Sequence, residues 1–239
     1  MREAVVLDIE GTTSSETHVR GVLFPYARAR LSSWIAAHHD EPEVRAVLAE
    51  IRLGGGAAAD ARDDEIVRLL ERWSDEDRKA PPLKRLQGMI WAEGYARGDL
   101  TGHVYPDTVT ALAAWRRRRT PVHIYSSGSV QAQQLWFRHS PFGDLRDQLS
   151  GYFDTTTAGP KKDPASYRAI TAALGAPAHG ITFASDSVDE LDAARAAGWR
   201  TVLVRRAAEE DAGAVHEDPA GHRHPVVRDL LAVAQEVPA

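Results

Sequence analysis

Apolar positions along this chain fall into a short-range rhythm at both ends and a helical rhythm between them. Ala4, Val5, Val6 and Leu7 run without a polar break to Asp8, and Gly11-Thr12-Thr13 follows at once, which predicts a buried strand over Ala4–Asp8 and a turn behind it. The next convincing strand, Val122–Tyr125, comes far downstream. In the interval the period is 3.6: Pro25–His38, Glu43–Ile51 and Asp63–Trp73 read as helices, and Pro81-Pro82 opens another through Leu83, Leu86, Ile90 and Trp91. Gly54-Gly55-Gly56-Ala57 is expected to join two helices. It is not a phosphate loop, because no strand precedes it and no lysine follows.

Residues 14–103 are therefore expected to be a helical insertion, entered through the Gly11 turn and left through Gly102 to Pro106. The core is then built from residues 1–13 and 104–239. Beyond the insertion, helices at Thr108–Arg118, Val130–His139, Tyr167–Leu174 and Leu191–Ala197 alternate with strands at Val122–Tyr125, Ile181–Ala184 and Thr201–Val204. Short apolar strands alternating with helices predict an α/β fold, a parallel sheet with helices on both faces. Ala207–His224 has no period and is expected as loop or frayed helix.

Composition narrows the chemistry. The 239 residues are 43% apolar, enough for a sizeable core, and a net charge of -5 supplies no broad cationic field for nucleic acid or an anionic membrane. No segment approaches membrane-spanning length, so a cytoplasmic protein is expected. The absence of cysteine removes disulfides, thiolate metal sites and thiol nucleophiles. Carboxylates, hydroxyls, lysine and histidine remain.

Those groups cluster at the expected carboxyl ends of strands, where open α/β sheets bind ligands. Asp8 and Glu10 leave the first strand, and would share one side if the backbone stayed extended through Ile9. Ser126-Ser127-Gly128-Ser129 follows Val122–Tyr125 and precedes a helix. Ser185-Asp186-Ser187-Val188-Asp189-Glu190 follows Ile181–Ala184. Lys161-Lys162 lies in the loop between. Taken singly, each has a plain structural reading: a polar strand exit, helix caps, acids in a first helical turn, surface lysines. Together they supply a nucleophilic carboxylate, a second carboxylate for proton transfer, hydroxyls, a cation and a distal acid, the parts of metal-assisted phosphoryl transfer. An all-oxygen site of this kind suits Mg²⁺.

The motifs DIEGTT at Asp8, YSSGS around Ser126, the Lys161 loop and SDSVDE around Asp186 resemble the haloacid dehalogenase superfamily of aspartate-nucleophile phosphatases. Glu rather than Asp at position 10, LFPYARARL from Leu23, LQGMIWAEGYARGDLTGHVYPD from Leu86, YSSGSVQAQQLWFRHS from Tyr125 and FDTTTAGPKKDPASYRAI from Phe153 are closer to its acireductone synthase family, the enolase-phosphatases of methionine salvage. The resemblance implies a Rossmann-like core of the haloacid dehalogenase type with an inserted α-helical cap domain that excludes water and recognises the thioether tail.

It also implies a 2,3-diketo-5-methylthiopentyl 1-phosphate substrate, enolised and then dephosphorylated through an aspartyl phosphate on Asp8. Glu10 would act as acid and base, and as the enolisation base. Lys161 would offset transition-state charge, and Ser126, Ser127 and Lys161 would hold the substrate. One Mg²⁺ per chain would be held by Asp8, the main chain of Glu10 and Asp186, with Glu190 orienting. The Asp154–Gly159 stretch is one residue longer than the family pattern; Lys161 is chosen over Lys162 for its distance back from Ser166-Tyr167. A monomer with a small phosphorylated substrate, and with no nucleic-acid or membrane partner, is expected. A general phosphomonoesterase, or a phosphoacceptor switch domain modified on Asp8, would use the same scaffold.

Overall fold

The computed structural model describes residues 3–54, 56–78, 80–207 and 223–236. The chain divides into two compact units, Met1–His18 with Thr101–Ala239, and Val19–Leu100. In chain order, β1 (Ala4–Leu7) and the one-turn helix α1 (Glu16–His18) come first. A π-helical turn (Val19–Leu23) and helices α2 (Phe24–His38), α3 (Pro42–Leu53), α4 (Asp63–Asp75) and α5 (Pro81–Arg97) make up the second unit. The first unit then resumes with α6 (Pro106–Arg118), β2 (Val122–Tyr125), α7 (Val130–Arg138), β3 (Gly151–Phe153), α8 (Pro164–Leu174), β4 (Ile181–Ser185), α9 (Val188–Ala196), β5 (Arg200–Val204), β6 (Val226–Val227) and α10 (Leu230–Glu236).

The six strands form one parallel sheet in the order β3-β2-β1-β4-β5-β6. Every residue of β1 and of β4 is buried, as a strand covered on both faces requires. One face packs Val6, Tyr125, Tyr167, Phe183, Trp199 and Leu203 into a continuous cluster. Strand β1 lies centrally, with Leu7 level with Ile124 of β2 on one side and Ala184 of β4 on the other. The chain winds outward from β1 in both directions, so the residues that follow β1, β2 and β4 meet at the point where strand order reverses.

The expected limits of the insertion, 14 and 103, move inward to 19 and 100. Both connecting segments are tied to the first unit and to each other. Ser14 Oγ donates to the His103 carbonyl at 2.5 Å, the Ser15 amide donates to His103 Nδ1 at 3.0 Å, and Trp136 Nε1 donates to Ser14 Oγ at 2.9 Å. The edge strands β3 and β6 lie outside the expected set. Residues 208–222, most of the segment expected as loop or frayed helix, lie outside the described residues.

The second unit is helical, as its period predicts. Proline at the first turn opens α2, α3 and α5, where a missing amide proton and a fixed φ do no harm, and Gly98 closes α5 in the left-handed conformation (φ 77°). Its core is built on apolar side chains: Leu31, Ile35, Val47, Ile66, Leu70 and Leu83 are each no more than 2% exposed, and the polar Gln87 of α5 is buried as well. Among the described residues no helix is long and apolar enough to cross a membrane.

Candidate active site

Asp8 is the first residue beyond β1. Its amide remains in the ladder, donating to the Ala184 carbonyl at 3.0 Å, so the sheet itself fixes its Cα. The chain then bends. The Ile9 carbonyl accepts from the amides of Thr12, Thr13 and Ser14 at 3.2, 3.0 and 2.9 Å, which closes a tight turn in place of the extended path through Ile9 that the sequence suggested. Glu10 therefore leaves from the turn, partly buried, with a bridge-type backbone pairing to Ser14. Gly11 sits at φ 65°, and a Cβ there would overlap the Asp186 carboxylate. A bare backbone at position 11 is thus what lets the acid that follows β4 lie against the turn that follows β1.

Lys161 is buried, and its Nζ lies 2.6 Å from Asp8 Oδ1 and 2.6 Å from Glu190 Oε2. Lys162 is exposed and pairs with Asp189 at 2.6 Å. The lysine loop is held rigidly: the hydroxyls of Tyr125, Ser166 and Tyr167 each donate, at 2.7 Å, to the successive main-chain carbonyls of Gly159, Pro160 and Lys161. Ser185 Oγ stands between the acids, 3.3 Å from Asp8 Oδ2 and 3.1 Å from Glu190 Oε2.

Ser126 is buried after β2, its amide donating to the Phe153 carbonyl at 3.2 Å, while Ser127 is exposed beside it. Ser129 does the capping of α7, accepting from the Ala132 amide at 3.2 Å, so that role does not fall to Ser126 or Ser127. Buried Asp154 braces this corner. It accepts from the amides of Val130, Thr156 and Thr157 at 3.0, 2.9 and 2.8 Å. Burial works to raise its pKa, but these bonds to the charged form outweigh it and hold the carboxyl below its ordinary range.

The electrostatics show a surplus of negative charge. Burial first, then the charges of Asp8 and Glu190, push the Asp186 carboxyl well above the ordinary carboxylate range. Burial and Asp8 likewise raise Glu190, against the pull of Lys161 and Ser185. Burial alone would lower the Lys161 pKa; the charges of Asp8 and Glu190 overcome it and keep the ammonium protonated. The buried Lys161 ammonium thus pairs with Asp8 and Glu190, while Asp186 lies in the field of both acids.

Among the described residues no set of three or more acidic or histidine side chains forms a ready-made metal cage. The donors that fit a hard divalent cation are the Asp8 and Asp186 carboxylates with main-chain oxygen from the Glu10 turn. The unbalanced charge around them is of the sign such an ion would relieve.

Sequence reasoning found the strand-end acids because the backbone alone places them. It quoted Ser185 in the cluster after Ile181–Ala184 without giving it a role, and it gave none to Asp154 or the tyrosine hydroxyls of the lysine loop. Ser185 carried a signal: it is the last residue of β4, adjacent in the sheet to the end of β1.

The model of the haloacid dehalogenase-like hydrolases matches residues 3–198. Proteins named enolase-phosphatase E1 from Streptomyces avermitilis and from Pseudomonas aeruginosa (strain UCBPP-PA14) are each 53% identical to the chain. The first match spans 208 residues (87% of this chain, 86% of that protein) and the second 204 (85% and 90%). The crystal structure of the UTR4 protein of Saccharomyces cerevisiae superposes with a TM-score of 0.79 at 31% identity, covering 96% of this chain and 98% of that one.

Proposed function

Since the chain belongs to the haloacid dehalogenase-like hydrolases and, within them, to the enolase-phosphatase E1 family, we propose that the cluster around Asp8 converts 2,3-diketo-5-methylthiopentyl 1-phosphate to the acireductone and phosphate. The observation that carries this reading is the Lys161 ammonium held 2.6 Å from Asp8 Oδ1 at the switch point of the sheet, with Asp186 packed on Gly11.

Enolisation comes first. Glu10 takes a proton from the carbon that bears the phosphate ester, and the neighbouring carbonyl oxygen takes one from water, to which Glu10 returns a proton at the end of the cycle. In the phosphatase half, an Asp8 carboxylate oxygen attacks phosphorus while the bond from phosphorus to the ester oxygen breaks, and Glu10 protonates the departing oxygen. Water then attacks the aspartyl phosphate, Glu10 accepts its proton, and release of phosphate restores the Asp8 carboxylate. Lys161 offsets charge on the phosphoryl oxygens, and Ser126 and Ser127 donate to them. Mg²⁺, when bound by Asp8, Asp186 and the Glu10 main chain, neutralises the approach of one anion to another. Glu190 and Ser185 orient Lys161 and Asp8. The unit Val19–Leu100 is assigned the role of cap domain, recognising the apolar tail of the substrate.

Incubation of the purified protein with the diketone phosphate and Mg²⁺, following enol absorbance and free phosphate separately, tests this. Enol formation preceding phosphate release is expected. Efficient hydrolysis of simple phosphomonoesters with no turnover of the diketone would overturn the assignment. A Glu10→Gln protein that enolises at the normal rate but releases no phosphate would separate the two roles given to Glu10.

A further inference from the structure

A second buried charge system lies just beyond β5, and the chemistry above makes no use of it. Arg205 and Arg206 directly follow Val204, and both are almost fully buried, 6% and 5% exposed. Adjacent buried guanidinium groups are unfavourable unless their donors are matched, so their partners reveal what they hold.

Arg206 donates through Nε at 3.0 Å and Nη2 at 2.6 Å to a single acceptor, the main-chain carbonyl of Thr12. Its Nη1 donates to Asp107 Oδ1 at 2.7 Å, and its guanidinium lies 4.4 Å over the ring of Tyr105. Asp107 is fixed in turn by the Leu230 amide at the start of α10, 2.8 Å from its other oxygen. The adjoining Thr13 carbonyl accepts from the Tyr105 amide at 3.0 Å and from Thr108 Oγ1 at 3.3 Å. Arg205 reaches a different loop and donates to the main-chain carbonyl of Asp186. Two successive residues at one strand end therefore grip the two turns that carry Glu10 and Asp186, each through a backbone oxygen.

We propose that Arg205 and Arg206 are positioning residues that hold the two acid-bearing turns in register: Arg206, seated between Asp107 and Tyr105, sets the Gly11–Thr13 turn and with it Glu10, and Arg205 sets the Asp186 turn. The inference rests on the roles assigned above to Asp8, Glu10 and Asp186. Both arginines act through the main chain. The paired donation to one carbonyl needs the planar fork of arginine, which an ammonium cannot reproduce.

Arg206→Lys and Arg205→Lys are the variants to make, with Arg146→Lys as a surface control. Amide hydrogen exchange, thermal midpoint, kcat and KM are measured on each, in the full chain. Arg206→Lys is expected to speed exchange about tenfold in residues 10–15 while the strands keep their protection, and to lower kcat about tenfold with KM within about twofold. Arg205→Lys is expected to do the same in residues 185–190. Folded lysine variants with unchanged exchange in those turns would overturn the proposal. So would changed exchange with unchanged kcat, or loosening spread evenly over the sheet. Should Arg206→Lys not fold, Asp107→Asn, which keeps an acceptor but removes the charge that orients the guanidinium, is read by the same criteria. Exchange requires no substrate, so a wild-type protein inactive on the diketone phosphate would sink the proposed function and leave exchange alone to decide the positioning.

Discussion

The two units handle charge in opposite ways. In the helical unit the ion pairs are peripheral: Arg52 with Asp63, Arg85 with Glu50 and Arg28 with Asp75 lie outside a core built around Leu31, Leu70 and Ile90. In the sheet unit, beside surface pairs such as Lys162 with Asp189, a set of charges lies inside. Lys161, Asp8, Arg205 and Arg206 are all less than a tenth exposed; Asp8 is tied to Lys161, and each arginine to a main-chain carbonyl. Surface pairs contribute little to stability, and buried ones are poor stabilisers compared with an apolar core of the same volume. Folding stability accounts for the charge pattern of the helical unit but not for that of the sheet unit. Its interior charge answers to chemistry.

That contrast can be tested from its strongest point outward. Asp8→Asn removes the nucleophile and is expected to lower phosphate release by about four orders of magnitude while the circular dichroism spectrum is unchanged; a folded variant with substantial turnover would move the chemistry elsewhere. Lys161→Met is expected to lower kcat by about a hundredfold to a thousandfold. It also strips Asp8 and Glu190 of the buried ammonium they share, with a loss of about 3 kcal/mol in urea unfolding without divalent cations. Lys162→Met, one residue along and exposed, should stay within about 0.5 kcal/mol and keep full activity. Equal effects at 161 and 162 would erase the distinction between interior and surface charge.

In the helical unit the order reverses. Leu70→Ala opens a void in a fully buried site and is expected to cost about 2–5 kcal/mol, whereas Arg85→Ala, which breaks a half-exposed pair, should cost less than about 1 kcal/mol by the same denaturant measurement. The smallest effect is electrostatic. Burial lowers the pKa of His123 on β2 from its ordinary 6.5. Between that value and the folded one, the unfolded chain binds a proton that the folded chain does not, so stability falls as pH drops below about 6.5. The slope is at most about 1.4 kcal/mol per pH unit, and His123→Leu should flatten it. Identical slopes for both proteins between pH 7 and pH 5 would show that the ring is not shielded.

What could be read from the sequence is what the backbone dictates. The strands β1, β2, β4 and β5 announce themselves as apolar runs, and the acids of the site sit where those runs stop. Helices α2 to α5 follow from their period. Strand β3, three residues reading Gly-Tyr-Phe, and β6, two valines, are too short to carry a period and exist through pairing with β2 and β5. The extended path expected between Asp8 and Glu10 gave way to a turn because the Ile9 carbonyl gathers three amides. The compact helical unit spans 19–100 rather than the expected 14–103, since Ser14 and His103 find each other across a sequence distance that no local pattern spans. Lys161 could be chosen by spacing, but the three hydroxyls that seat its loop, and the paired arginines after β5, are tertiary facts written at widely separated positions.

The two connecting segments carry a further consequence. His18 Nε2 lies 3.2 Å from the Thr101 carbonyl, so the sheet unit presents its cut ends as neighbours, already joined by a hydrogen bond. Whatever is spliced between them need only begin and finish at one spot. A chain in which a few glycines bridge residue 18 to residue 101 is expected to fold into the six-stranded sheet unaided, and a helical module of different make could be grafted at the same junction without redesign of the scaffold that receives it.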